Sequence, residues 1–338
     1  MKKVVLHFNS VNHHFSQLIT GLEYLNHHRK IDLSYNFDFG KYPENIFRVE
    51  ISGLNLFFDL ADHSKIDPIL YRESDFYIKR MLLKKDHVEN HKLTPYGLYF
   101  PVYYRNPTLK YLFLKDLSYW KYSLKYWKGV SKFLDIRDSI ATNELSIIES
   151  DLTENKGVIF RSRLWGAGKD HPKWKRENRK ALNDQRIRIN KLLKEKFGDS
   201  FTGGIRKDDF SDKQCPELVL PKKEFHRKRY LKKMQNSSIG IVTYGLEESI
   251  GAKFGEYLAN GLAIVTNPID EFQLLGPLKE KEHYFSYHSP EECLEKTQLL
   301  FSNDGLRRSM QKANREYYNN WLHPGTKMMK IFERIDLL

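Results

Sequence analysis

Two acidic residues, Glu248 and Glu256, stand eight positions apart with Lys253 between them. A carboxylate accepts two hydrogen bonds at once, enough to clamp the vicinal diol of a ribose or hexose. An ammonium group supplies the point charge that suits a phosphate. The elements around them can bring such groups to one place. Residues 239–243 are a short, β-branched apolar run, the composition of a buried strand. Residues 245–251 carry two glycines and adjacent acids and read as a loop. Residues 252–259 read as a short helix with Phe254, Leu258 and Ala259 inward. Asn260-Gly261 ends it, because glycine accepts the left-handed turn of a C-cap. Residues 262–266 form a second buried strand. A loop and helix start after a parallel strand is where open α/β sheets hold ligands, and a helix N-terminus suits phosphate. The competing reading makes Lys253 and Glu256 solvated charges on a helix that merely packs on a sheet.

The spacing of Glu248, seven residues, then Glu256, followed by YLANGLAIV, resembles the nucleotide-sugar site of GT-B glycosyltransferases, especially the retaining group called family four. Residues 253–261 also match the variant K-x-x-EYLA-x-G of that superfamily. Residues 158–160 read as a strand that runs into RSRLWGAGK, where Arg163-Leu164 is similar to the family's "GRL" and Lys169 follows. The resemblance covers mainly residues 157–335. It implies an α/β chain of the GT-B fold, two Rossmann-like doubly wound domains facing each other across a cleft. It implies an acceptor domain over residues 1–150, a nucleotide-sugar domain over 151–320, and a helix over 321–338 crossing back to the first domain. It assigns Arg163, Lys169 and Lys253 to the donor diphosphate, Glu256 to the ribose, and Glu248 to the donor sugar or its phosphate. Tyr244, Gly245 and Ser249 complete the expected donor-binding loop. No cofactor and no catalytic metal are implied; the nucleotide-sugar is a substrate. The Glu pair accompanies retention of anomeric configuration in that family.

In the first half, strands are expected at residues 2–8, 31–37, 47–51, 54–60, 74–79 and 99–104, and a helix at 15–27. The loop after the first strand carries Asn12, His13 and His14, and the loop after the strand at 54–60 carries Asp62 and His63. At the carboxyl edge of a sheet, His13, His63 and Asp62 are candidates for a catalytic base or acceptor ligands; a helix-capping, solvent-exposed role is the alternative. The glycine pair with which GT-B chains usually leave their first strand is absent here. Residues 103–134 interleave Tyr, Trp and Phe with lysines. Such a stretch suits an anionic membrane surface, a stacking platform for sugars, or an amphipathic helix packed on the protein. A long charged helix at 172–196 presents Ala181, Leu182, Ile187, Ile189 and Leu192 inward and a solvated Arg/Lys face outward.

The 338 residues favour two domains, and the net charge of +13 calls for partners of opposite sign. Strands alternate with helices in both halves, the pattern of doubly wound α/β domains. Two distant cysteines, Cys215 and Cys293, form no ligand pair and suit a reducing compartment. No secretory h-region appears in residues 1–30, and no window is long enough to span a membrane. The expected location is therefore the cytoplasm, at the inner face of the membrane if the basic aromatic segment engages lipid. The function expected is transfer of a sugar from a nucleotide-sugar donor to a glycan or lipid-linked acceptor in cell-surface polysaccharide synthesis. Nucleic acid is not an expected partner. The alternative is a non-catalytic nucleotide- or polyanion-binding protein on the same scaffold.

Overall fold

The computed structural model describes residues 1–9, 13–38, 40–87, 92–104, 144–166, 168 and 171–337. The chain forms two compact units. One holds Met1–Glu149, Asp270–Pro277 and Tyr317–Leu338; the other holds Ser150–Ile269 and Leu278–Glu316.

The second unit contains strands β7 (Val158–Ser162), β8 (Phe201–Arg206), β9 (Val219–Leu220), β10 (Ile239–Val242), β11 (Ala263–Thr266) and β12 (Tyr284–Ser286). They form one sheet in the order β12-β11-β10-β7-β8-β9, with every pairing parallel. Numbered within the unit, this is the order 3-2-1-4-5-6 of two βαβαβ halves, and the order reverses between β7 and β10. All residues of β7, β10 and β11 are buried, as strands of a parallel sheet covered on both faces must be. Their side chains meet Ile189, Leu193, Tyr287, Leu300 and Met310 in one apolar cluster. The long helix Lys173–Phe197 and the helix Pro290–Ser302 belong to this packing, as does Asp304–Tyr317 through Met310. Helices Arg227–Gln235 and Ala252–Ala259 flank β10 in sequence. A Cβ at Gly240 would lie 2.4 Å from the Tyr257 ring, so glycine lets the helix Ala252–Ala259 pack closely on β10.

In the first unit β1 (Lys2–Phe8), β2 (Ile31–Phe37), β3 (Ile46–Ile51), β4 (Leu54–Asp59), β5 (Phe76–Lys79) and β6 (Leu93–Pro95) form a sheet in the order β2-β1-β3-β4-β5-β6. Most pairings are parallel, but β3 runs antiparallel to both neighbours. Ser52 and Gly53 have positive φ (54° and 82°) and close a two-residue hairpin between β3 and β4. The unit is thus Rossmann-like with one reversed strand. Helix Ser16–His27 packs against the C-terminal helix Pro324–Arg334, in close approach at Gly21, where a Cβ would lie 2.5 Å from Met328 and the Pro324 carbonyl. Residues 99–104, expected as a strand, form none; Tyr103 makes only an isolated bridge to Glu144. Most of the basic aromatic stretch of residues 103–134 lies outside the described residues, from residue 105 on.

Candidate anion site of the second unit

The carboxyl ends of β7 and β10 lie side by side where the strand order reverses, the place such sheets use for ligands. Three segments meet there: the loop after β7, the loop after β10, and the start of helix Ala252–Ala259. One side chain ties the first two together. Arg186, from the middle of the long helix, is only 8% exposed. Its Nε donates to Thr243 Oγ1 at 3.0 Å, Nη1 to the Arg163 carbonyl at 2.7 Å, and Nη2 to the Tyr244 carbonyl at 2.8 Å. None of these acceptors is an acid, so among the described residues the buried guanidinium has no carboxylate against it. Burial, then the neighbouring Arg163, lowers its pKa to about 10, with Tyr287 opposing. Asn183, one helical turn earlier, accepts from the Trp165 N–H through Oδ1 and donates from Nδ2 to the Trp165 carbonyl, both at 2.9 Å, and fixes the loop after β7.

Lys253 sits in the first turn of Ala252–Ala259, half-buried, with its Nζ 5.5 Å from the Tyr230 ring centroid. It makes no ion pair among the described residues. Burial lowers its pKa to about 7; Glu256 opposes this, while Arg186, Arg161 and Arg163 add to it. Arg163 is exposed and lies over the Trp165 ring, 3.5 Å from its centroid. Arg161, at the end of β7, is buried; its Nη1 donates to the Glu224 backbone carbonyl and its Nη2 to the Glu224 carboxylate at 2.9 Å, and the latter bond lowers the Glu224 pKa to about 2. The summed arrangement is an excess of positive charge on the end of the sheet. Such a place binds an anion rather than a cation.

Glu256 is 4% exposed, and its Oε1 lies 2.7 Å from Arg227 Nη1. It is not a solvated helix charge. Glu248 is different: it is exposed, with φ 60°, and follows Glu247 with φ 56° in the 3-10 turn Leu246–Glu248. Two consecutive non-glycine residues in the left-handed region hold strain, and Glu247 is anchored to Lys175 at 3.4 Å. Tyr244 is held through its N–H to Asn267 at 2.9 Å and its hydroxyl to the Pro268 carbonyl at 2.8 Å. The Gly245 N–H donates to the Ser249 carbonyl at 2.7 Å, closing the loop, and Ser249 is buried. Lys169 lies outside the described residues. The second unit therefore gathers Arg163, Tyr244, Gly245, Glu248, Ser249, Lys253 and Glu256 on two loops and one helix at this end of the sheet.

The first-half candidates belong to the other unit. Asp62 pairs with the buried Arg80, whose guanidinium lies 4.3 Å from the Tyr99 ring centroid. His63 is exposed and lines a cavity of about 250 Å³ with Asn45, Asp59, Lys65 and Asp67. Asp59 is buried and accepts from Tyr77 at 2.7 Å and Lys79 at 2.8 Å. His13 opens a 3-10 turn, and its side chain is outside the description. The neighbouring His14 is buried, with Nδ1 3.0 Å from the Leu60 carbonyl. Among the described residues no three His, Cys, Asp or Glu side chains are grouped for a metal, and no helix is long and apolar enough to cross a membrane.

Sequence reading placed the Arg/Lys side of residues 172–196 in solvent. Most of those basic side chains are indeed exposed; Arg186 is the exception, buried in a stripe with Leu182, Asn183, Ile189, Asn190 and Leu193, and of the residues expected inward Leu182 and Ile189 are buried, Ile187 and Leu192 half-buried and Ala181 exposed. Arg186, Asn183 and the Arg227 partner of Glu256 were therefore missed. The only sequence signal for Arg186 was its i+4 and i−3 spacing to Leu182 and Ile189, which a polar residue hides.

No family profile matches the sequence, and no curated protein matches it. Among solved structures, the chain is similar to WaaG, a glycosyltransferase involved in lipopolysaccharide biosynthesis, at 13% identity over 91% of this chain and 79% of that one, with a TM-score of 0.40. It is similar to a glycosyltransferase from Rickettsia africae at 14% identity over 83% and 70%, with a TM-score of 0.39. It is also similar to HepE from Anabaena, solved in complex with UDP-glucose, at 9% identity over the full length of both chains, with a TM-score of 0.40. At these identities and scores, function has to be argued from the chain's own residues.

Proposed function

We propose that the protein is a glycosyltransferase that binds a nucleotide-sugar donor at the carboxyl ends of β7 and β10. One observation carries the reading: Arg186, buried and with no carboxylate partner among the described residues, stands with Lys253 and Arg163 where the order of a parallel sheet reverses. A diphosphate supplies the missing negative charge. Arg163 and Lys253 engage its oxygens, and the first turn of Ala252–Ala259 adds backbone N–H groups. Glu256, oriented by Arg227, accepts from the ribose diol with its remaining lone pairs. Glu248, on the strained turn, meets the transferred sugar.

In this reading the phosphate charge is neutralised by side chains and helix N–H groups, without a metal. Transfer is retaining, with the departing phosphate helping to deprotonate the acceptor hydroxyl. The acceptor is a glycan or lipid-linked saccharide; polar groups such as Asn45, His63 and Asp67 around the first-unit cavity suit a sugar. The pathway is cell-surface polysaccharide synthesis, at the inner face of a membrane.

Incubation with UDP-, GDP- and ADP-sugars, reading release of the nucleoside diphosphate with and without saccharide acceptors, tests the proposal. Release from sugars of one base, lost in Lys253→Met, is the expected result. No release and no binding for any base would contradict it.

A further inference from the structure

Arg186 does more than fill space, and its role follows from what it touches. Its three nitrogens reach three acceptors on two chain segments: a hydroxyl and a carbonyl from Thr243 and Tyr244 after β10, and the carbonyl of Arg163 after β7. The two segments are 80 residues apart in sequence yet flank the same point of the sheet. β7 and β10 are paired only at Ile239–Val158 and Gly240–Ile159, so the strand ladder has stopped before the loops begin. Arg186 replaces the ladder there. A planar fork with donors on three separate nitrogens suits this task, whereas the three donors of an ammonium all spring from one atom.

Hydrophobic packing does not require an arginine at this position. Leu182, Ile189 and Leu193 supply the apolar contacts of the same helix face. A buried cation whose acceptors are all neutral lowers stability relative to an apolar residue of the same shape. An anion at the loop ends offsets that cost, and only when it is bound.

We infer that Arg186 is a positioning residue of the anion site, which fixes the backbones of Arg163 and Tyr244 for the ligand and keeps that end of the sheet positively charged until an anion arrives. This rests on reading that end as the donor site, and it adds the residue that builds it.

The inference has a readout that a purely structural role would not move. Lys253 is faced by Glu256 on its own helix, Tyr230 on Arg227–Gln235, Arg161 and Arg163 from β7 and its loop, and Arg186 from the long helix. Removing the Arg186 charge lets Lys253 hold its proton to higher pH. Anion affinity, which needs that proton, then falls at a higher pH than in the wild type.

The test is calorimetric titration of pyrophosphate and of UDP, GDP and ADP against wild type, Arg186→Lys and Arg186→Gln between pH 6 and 9. Arg186→Lys keeps the charge and loses the fork; it should bind about tenfold or more weakly with an unshifted pH profile. Arg186→Gln should bind weakly and show its loss of affinity at higher pH. Folded variants with wild-type affinity and wild-type profiles overturn the inference, whatever their melting temperatures. If Arg186→Gln does not fold, the Arg186→Lys affinity decides alone. Binding of pyrophosphate but of no nucleoside diphosphate overturns the donor reading while the pyrophosphate series still judges Arg186. Binding of neither overturns both.

Discussion

Lys253 and Glu256 share one short helix but are prepared for opposite tasks. Lys253 has a pKa of about 7 in the free protein because it is half-buried among cations. A bound phosphate favours its charged form. Anion affinity should therefore be full below about pH 7 and fall as pH rises, by up to tenfold per pH unit while only the free protein is losing the proton. Titrations between pH 6 and 9 should show that fall in the wild type relative to Lys253→Met, in which only the phosphate's own ionisation at about pH 6 remains; profiles that run parallel contradict the assignment. Glu256 is locked to Arg227, so removing its charge strands a mostly buried guanidinium. Glu256→Gln should cost about 3 kcal/mol of stability, read by urea unfolding, in addition to nucleotide affinity. Stability equal to wild type would mean the pair contributes nothing. The pairing Glu248-(seven)-Glu256 was legible in the sequence, but the unequal fate of the two acids was not. Burial of Glu256 depends on Arg227, and spacing alone does not announce that partner.

At the level of single elements, Ala252–Ala259 was legible because Gly251, the apolar face and Asn260-Gly261 all mark the same bounds. Its depth against the sheet was not, since that depends on Gly240 standing under Tyr257. Gly240→Ala should lose about 1–3 kcal/mol of unfolding free energy by overpacking; an unchanged denaturation midpoint would show that the ring moves freely. The long helix and the apolar part of its buried face, Leu182 and Ile189, were legible, but Arg186, Asn183 and Asn190 on that face were not, because they bury polar heads that pattern reading assigns to water. The C-terminal helix carries a similar case. Lys327 is 1% exposed, with Nζ bonded to Gln17 at 3.2 Å and to the Leu98 carbonyl, and 3.4 Å from the Tyr96 ring centroid. Burial, and then Arg80, hold its pKa well below the usual lysine value. Between the folded and unfolded pKa values the unfolded chain binds more protons, so stability rises with pH. That contribution has a limiting slope of about 1.4 kcal/mol per pH unit. Urea unfolding from pH 7 to 9.5 should show a smaller rise in Lys327→Met than in the wild type; equal slopes would place the titration elsewhere.

Across the molecule, the alternation of strands and helices announced two α/β halves, and two such sheets are present. The antiparallel β3 was not anticipated, although Ser52-Gly53 between two apolar runs marks a tight turn. Net charge of +13 makes anion binding sensitive to ionic strength, because screening weakens exposed charges first. The measurement that bears most directly on the central claim is thermal stabilisation of the whole chain by UDP, GDP and ADP at pH 6.5, for wild type and Lys253→Met. A nucleotide at a hundredfold its dissociation constant should stabilise the wild type by about 2.7 kcal/mol and the variant by much less. Stabilisation of both to the same extent would put the nucleotide somewhere other than the carboxyl ends of β7 and β10, and no stabilisation by any of the three would remove the donor site altogether.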